Sequence, residues 1–284
     1  MVYITGKDGM VNGAKTVRMW EINPKAPGGP YAGSGAAGAI DRIVGAKDWV
    51  GRYGAYGYLP VSMPGSALAF VGSIDGSVGV YGTAIVTTVR LDIEVPQNED
   101  EPPRPIAHVV EFKANGTLTR GAAVATDAVV PNPPNPKDLK VRLATPGTSD
   151  WDDVCSVWKA SLVLTSNGPS YRPGCNTGQT YRLAGNIDAK FQYSTYVSAA
   201  TALPTEGQSY GLRLFVTAAD YWEFLWMMCE SVDPFRIPIE DRTLVYGEPS
   251  FALSAYEEIA AVATQGSLKK PNATPGGAAV VWWP

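Results

Sequence analysis

One histidine, His108, and three cysteines, Cys155, Cys175 and Cys229, are all that 284 residues offer to metal or thiol chemistry. They lack the spacing of a metal-ligand set. His108 sits in the apolar stretch from Ile106 to Phe112 without a matched serine or cysteine motif, the setting of a structural histidine rather than a general base. No phosphate-binding loop, nucleophile elbow or matched carboxylate pair occurs, so the sequence offers no catalytic, cofactor-binding or metal residues and no enzyme class to assign. A basic surplus is also missing: 23 Lys and Arg stand against 27 Asp and Glu, which speaks against sequence-specific reading of nucleic acid. No apolar run approaches the roughly 20 residues of a membrane-spanning helix. The start lacks the basic-then-apolar pattern of a secretory signal, so synthesis and folding are expected in the cytoplasm. In that compartment reduced, buried thiols are the expected state, although a Cys155–Cys175 bridge is geometrically possible in a β domain.

Turn formers and aromatics are abundant instead. Gly 30, Pro 23, Tyr 14 and Trp 8 favour many short strands joined by turns, hence a mainly β fold. Residues 16–22 alternate and read as a strand; 48–59, 67–71, 79–95 and 106–112 follow as further strands, the fourth rich in β-branched residues. Between them lie a Gly/Pro/Ala loop over 24–38 and an acidic, proline-rich loop over 95–105. Gly33, Gly35 and Gly38 satisfy G-x-G-x-x-G, but no apolar strand precedes them, so a nucleotide site is not indicated. Glu99, Asp100 and Glu101, like Asp150, Asp152 and Asp153, read as solvated surface without the alternating spacing of a calcium loop. One helix is expected over 218–230, with Thr217 as N-cap and Asp220 in the first turn. The tail 278–284 is apolar enough to be pinned into a sheet or docked on a neighbour.

Near the middle, Val130 to Leu139 packs four prolines into six residues, which excludes helix or central strand and marks a semi-rigid linker over 130–138. The sequence after it echoes the sequence before it. Gly45-Ala-Lys-Asp recurs as Gly185-Asn-Ile-Asp, Leu59-Pro60 as Leu203-Pro204, Phe70 as Phe215, and Asn115-Gly116-Thr-Leu as Gln265-Gly266-Ser-Leu. Two tandem, duplicated β-sandwich or barrel-like domains are therefore expected, 1–129 and 139–284, the second with a C-terminal extension. Two unrelated small β domains joined by a linker are the alternative, since turns reuse Gly, Pro and Asn.

Trp20-Glu21-Ile22, Asp48-Trp49, Pro64-Gly65, Gly82-Thr-Ala-Ile-Val86 and Phe112-Lys-Ala-Asn-Gly-Thr-Leu118 together resemble the tail-tube-like proteins of tailed bacteriophages. The resemblance covers about residues 10–125 and, through the repeat, 139–270. It implies a virion protein with a β-sandwich flanked by a helix, made in the host cytoplasm, whose subunits stack as rings around a DNA-conducting channel. Versions with two copies of the fold form homotrimeric rings of pseudo-sixfold symmetry. No functional residue carries over, because that family works through surfaces. Other virion proteins are implied as partners, and genomic DNA as a passenger that is not specifically bound. A head-decoration or baseplate-hub role is the near alternative, and a carbohydrate- or host-binding β-sandwich the more distant one. Asp48, Asp92, Glu94, Glu111 and Asp188, on or beside predicted strands, are the candidates for an acidic channel wall.

Overall fold

The structure, a computed structural model, describes residues 4–6, 9–11, 17–31, 41–58, 60, 62–74, 78–97, 100–122, 136–146, 148–154, 156–173, 178–196, 203–218, 220–236, 246–254, 266–269 and 280–281. The glycine motif at 33–38 and residues Cys155, Cys175 and Glu99 lie outside them. The first half contributes β1 (Ile4–Gly6), β2 (Gly9–Val11), β3 (Val17–Lys25), β4 (Gly28–Tyr31), β5 (Asp41–Val44), β6 (Asp48–Tyr56), β7 (Ala67–Ser73), β8 (Val78–Glu94) and β9 (Ala107–Ala122). The second contributes β10 (Lys140–Ala144), β11 (Trp151–Val154), β12 (Val157–Ser166), β13 (Ser170–Tyr171), β14 (Tyr181–Arg182), β15 (Ile187–Tyr196), β16 (Ser209–Phe215), β17 (Tyr221–Arg236), β18 (Tyr246–Leu253), β19 (Gly266–Lys269) and β20 (Val280–Val281). The fold is mainly β, as expected, with one short 3-10 turn at Pro136–Asp138 among the described residues.

The chain forms two compact units built from interleaved segments. One comprises 1–89, 108–132 and 165–187; the other comprises 90–107, 133–164 and 188–284. The boundary at 132/133 falls inside the proline-rich linker, but the crossings at 89/90, 107/108, 164/165 and 187/188 have no counterpart in the sequence reading.

In the first unit the strand order is β1-β3-β6-β9-β8-β7-β2. Its core is aromatic: Trp20 meets Phe70 edge-on at 5.5 Å, Phe70 lies 5.1 Å from Phe112, and Trp49 meets Phe112 at 5.9 Å. Such contacts add about 0.5–1.5 kcal/mol each beyond the burial of area. In the second unit the order is β12-β15-β18-β17-β16-β10-β11, around Phe191, Tyr193 and Phe251.

The two orders share a pattern. β3-β6-β9-β8-β7-β2 corresponds strand for strand to β12-β15-β18-β17-β16-β10, and a separate two-stranded hairpin, β4–β5 or β13–β14, interrupts each between its first two strands. Local detail agrees. The Gly65 N–H donates to Val86 O at 2.8 Å while the Val86 N–H donates to Ser66 O at 3.0 Å; Gly207, Cys229 and Gln208 repeat this at 2.8 and 2.9 Å. Both glycines have positive φ, +85° and +76°, which explains why glycine stands at each. The sequence pairing of Gly45 with Gly185 fits, each lying between hairpin and strand. Phe70 instead corresponds to Leu212, both buried and five residues beyond the respective glycine. Gly116 lies within β9 whereas Gly266 opens β19, so that pairing does not hold.

The helix expected over 218–230 is absent; these residues turn and enter β17. Thr217 does cap, but it caps a turn: its Oγ1 accepts from the Asp220 N–H at 2.9 Å while the Val216 N–H donates to Asp220 O at 3.0 Å. The chain reverses there, and β17 pairs with β16 from Phe215↔Tyr221 onward. A nearly continuous apolar run fits a helical face as well as a strand with both faces covered, and its Tyr, Trp and Phe favour the strand. Tyr221, Trp222, Glu223 and Phe224 are all buried, between β16 on one side and β19 on the other. The C-terminal Val280–Val281 pairs with β19, pinning that part of the tail into the sheet.

Candidate assembly surfaces

The described residues among those singled out by sequence lie in separate places in the two units. Among the described residues no group of His, Cys, Asp or Glu could hold a metal ion. His108 is buried, and its Nδ1 lies 2.9 Å from Gly57 O, which assigns the proton to Nδ1. Its Nε2 is buried without a partner. Burial pushes the imidazole below its ordinary pKa; the Gly57 hydrogen bond opposes this and the positive charge of Arg18 reinforces it. Cys229 is buried, and burial pushes its thiol up, away from the reactive thiolate. Asp153 bridges Lys140 and Arg142 at 2.5 Å each; burial pulls its pKa upward, but the two cations hold it below the usual value.

The acidic residues proposed for a channel wall occupy different settings. Asp48 is gripped by Arg182 through two bonds of 3.0 and 2.8 Å. Asp92 accepts from Arg90 at 2.6 Å and from Ser161 Oγ at 2.7 Å. Glu94 lies 3.6 Å from Arg104, which also holds Glu101 at 2.8 Å. Glu111 and Asp188 are exposed. Each unit presents a solvent-facing sheet surface of mixed charge. In the first, Glu21 pairs with Arg52 at 2.7 Å beside Glu111 and Lys113; in the second, Arg90–Asp92 and Lys190–Glu230 lie on the polar sides of their strands. Most cations here have an acidic neighbour.

The open hydrogen-bonding edges are the remaining feature. Past Val86, β8 continues into the second unit and meets β12, with the Val95 N–H donating to Trp158 O at 2.8 Å. Past Cys229, β17 continues in the same way for seven residues, and no described strand pairs with it on that side; only the Val232 N–H is met, by Glu206 Oε1 at 3.1 Å. The edge of β3 that corresponds to β12's β8-facing side is covered by β1 over only three residue pairs.

Comparison with known sequences finds no family model that matches the chain and no curated protein similar to it. Sequence reasoning missed the two unequal continuations, because pairing between distant strands leaves no local signal.

Proposed function

We propose that the chain is a virion structural protein, a tail tube subunit in which a duplicated β domain closes with copies of itself into stacked rings around a DNA-conducting channel. The observation that carries this reading is the contrast between β8 and β17. Where β8 of the first copy passes its own hairpin, the second copy's β12 completes its edge; where β17 of the second copy does so, no described strand completes it. An exposed edge of this length invites a strand from another molecule. The strand that matches β12 is β3, so head-to-tail addition of β17 to β3 of the next copy repeats the internal junction and closes as a ring. Three chains then supply six similar domains. β1, three residues long, yields its place on β3 at assembly.

The mixed-charge sheet faces fit a wall that passes DNA without retaining it, since paired cations release few counterions on meeting phosphate. The carbohydrate-binding alternative is less well supported: Trp20, Trp49 and Trp222 are buried in the core, and no described tryptophan is exposed as a stacking platform.

Negative-stain microscopy and light scattering of the purified chain test the proposal. Rings, with a mass near three times the chain's 30.2 kDa, are expected. Val232→Pro, which removes the N–H that Glu206 holds and bars a ladder bond at that position, should leave a folded monomer by circular dichroism and abolish rings. A wild-type protein that stays monomeric at all concentrations, or a Val232→Pro protein that assembles normally, overturns it.

A further inference from the structure

A cleft of about 400 Å³ opens in the first unit, lined among others by Lys25, Lys47, Arg120, Trp49, Leu118 and Gln179. Its floor is chemically complete. Trp49 Nε1 donates to Gly116 O at 3.0 Å, and the Lys47 N–H donates to Gly178 O at 2.7 Å. Asp48 is the acidic residue of the lining, and Arg182 already holds both of its oxygens. Lys25, Lys47 and Arg120 are exposed and pair with no carboxylate among the described residues. The cleft therefore keeps three uncompensated cations over an apolar and amide floor, in a chain whose net charge is −4.

The same chain carries a compact stretch of the opposite sign whose carboxylates are not all tied to a neighbouring strand. Between β8 and β9, Glu99, Asp100 and Glu101 follow one another in the sequence within 96–105, a stretch with four prolines, and Arg104 of the same loop pairs with Glu101 at 2.8 Å. The base of this loop is tied down: Gln97 Nε2 donates to Val95 O at 2.7 Å, and the Tyr196 hydroxyl bonds Gln97 Oε1. Asp100 points no charge at any described partner and is exposed. Apart from its prolines, the loop holds no apolar side chain that would fold it onto its own unit.

We infer that the cleft receives the acidic 99–101 loop of a second copy of this chain, so that Lys25, Lys47 and Arg120 form a charge-matched socket between subunits. This rests on the self-assembly proposed above. The volume is that of a small-ligand pocket and admits a narrow extended segment, whereas a DNA duplex presents its phosphates along a convex rod that cannot enter a concavity of this size. Complementary charge of this kind sets register and encounter rate as much as affinity, and its contribution falls as salt rises.

The test uses a fluorescent peptide with the sequence of residues 96–105, titrated with dilute full-length protein at low ionic strength. Binding is expected, weakened at least tenfold in Lys47→Glu/Arg120→Glu and restored in that variant by a peptide carrying lysine at positions 99–101. If the chain assembles but the peptide does not bind, this inference falls and the ring reading stands. If the peptide binds with this charge dependence yet the chain never assembles, the ring reading and the socket's place between subunits fall together. A single-stranded or duplex oligonucleotide that binds more tightly than the peptide, and loses affinity in the same variant, would make the cleft a phosphate site and overturn the inference.

Discussion

Asp48 and Asp188 stand at the start of corresponding strands, first in β6 and second in β15, and each accepts a hydrogen bond from the next residue's N–H, at 2.9 and 2.8 Å. There the likeness stops. Asp48 is clamped by Arg182, whose Nη1 also donates to Ala114 O at 2.7 Å and whose backbone N–H donates to Asn115 Oδ1 at 3.1 Å. Asp188 stands exposed, with no arginine partner among the described residues. The difference lies in what the neighbouring hairpin does. Arg182 belongs to β14, in a segment from the second half of the sequence that packs within the first unit. One aspartate has become an anchor for that segment, and its counterpart has kept only the strand-opening role.

Breaking the anchor should have the largest effect on stability. Arg182→Ala leaves Asp48 partly buried and uncompensated, with side-chain exposures of 11% and 25% for the pair, and should cost about 3 kcal/mol in urea unfolding. A loss under about 1 kcal/mol would show that the clamp is merely surface decoration. Next comes pH. His108 keeps its native pKa below the unfolded value, so the unfolded chain binds a proton that the native chain refuses. Stability is thus full above about pH 6.5 and declines as pH falls below it, by up to about 1.4 kcal/mol per unit. The His108→Gln protein should lack this decline between pH 6.5 and 5.5; equal slopes in both proteins would refute the assignment. Asp188→Asn should change stability by no more than about 0.5 kcal/mol, against a much larger loss for Asp48→Asn, and equal effects would erase the distinction between the two sites.

The smallest effect sharpens the likeness instead. Tyr53 and Tyr193 stand five residues beyond the paired aspartates, both buried with hydroxyls that meet no partner, and burial pushes both phenols far above their ordinary pKa. Tyr53→Phe and Tyr193→Phe should each leave stability unchanged or raise it by up to about 1 kcal/mol, as judged by thermal unfolding. A loss in one alone would mean that its hydroxyl has found a partner the other lacks.

Much of the β architecture was legible in the sequence. Alternation over 16–22, the aromatic strand after Asp48 and the β-branched run ending near Val95 all correspond to strands, because each carries its own local period or propensity. β17 was not legible, since residues that are apolar at nearly every position suit two periods equally and the deciding partner, β16, is contributed by pairing. Matches at Phe70 and Gly116 went astray because they followed residue identity where the hydrogen-bond ladder follows Gly65 and Gly207. The Asp48–Arg182 clamp spans 134 residues, and the cleft gathers Lys25, Lys47 and Arg120 from three separate strands or loops. No window along the chain contains either. What the sequence did offer for the cleft was its counterpart, the acidic row at 99–101, legible only as a solvated surface.

The chain passes between its two compact units five times. Severing it in the proline-rich stretch at 130–138 would therefore not yield two finished pieces: the leading fragment would lack 165–187, and the trailing one 90–107. Each would be born with a gap that only the other can fill. Expressed apart, such fragments should be poorly soluble; expressed together, they should reconstitute one protein, a split pair whose halves are obliged to find each other.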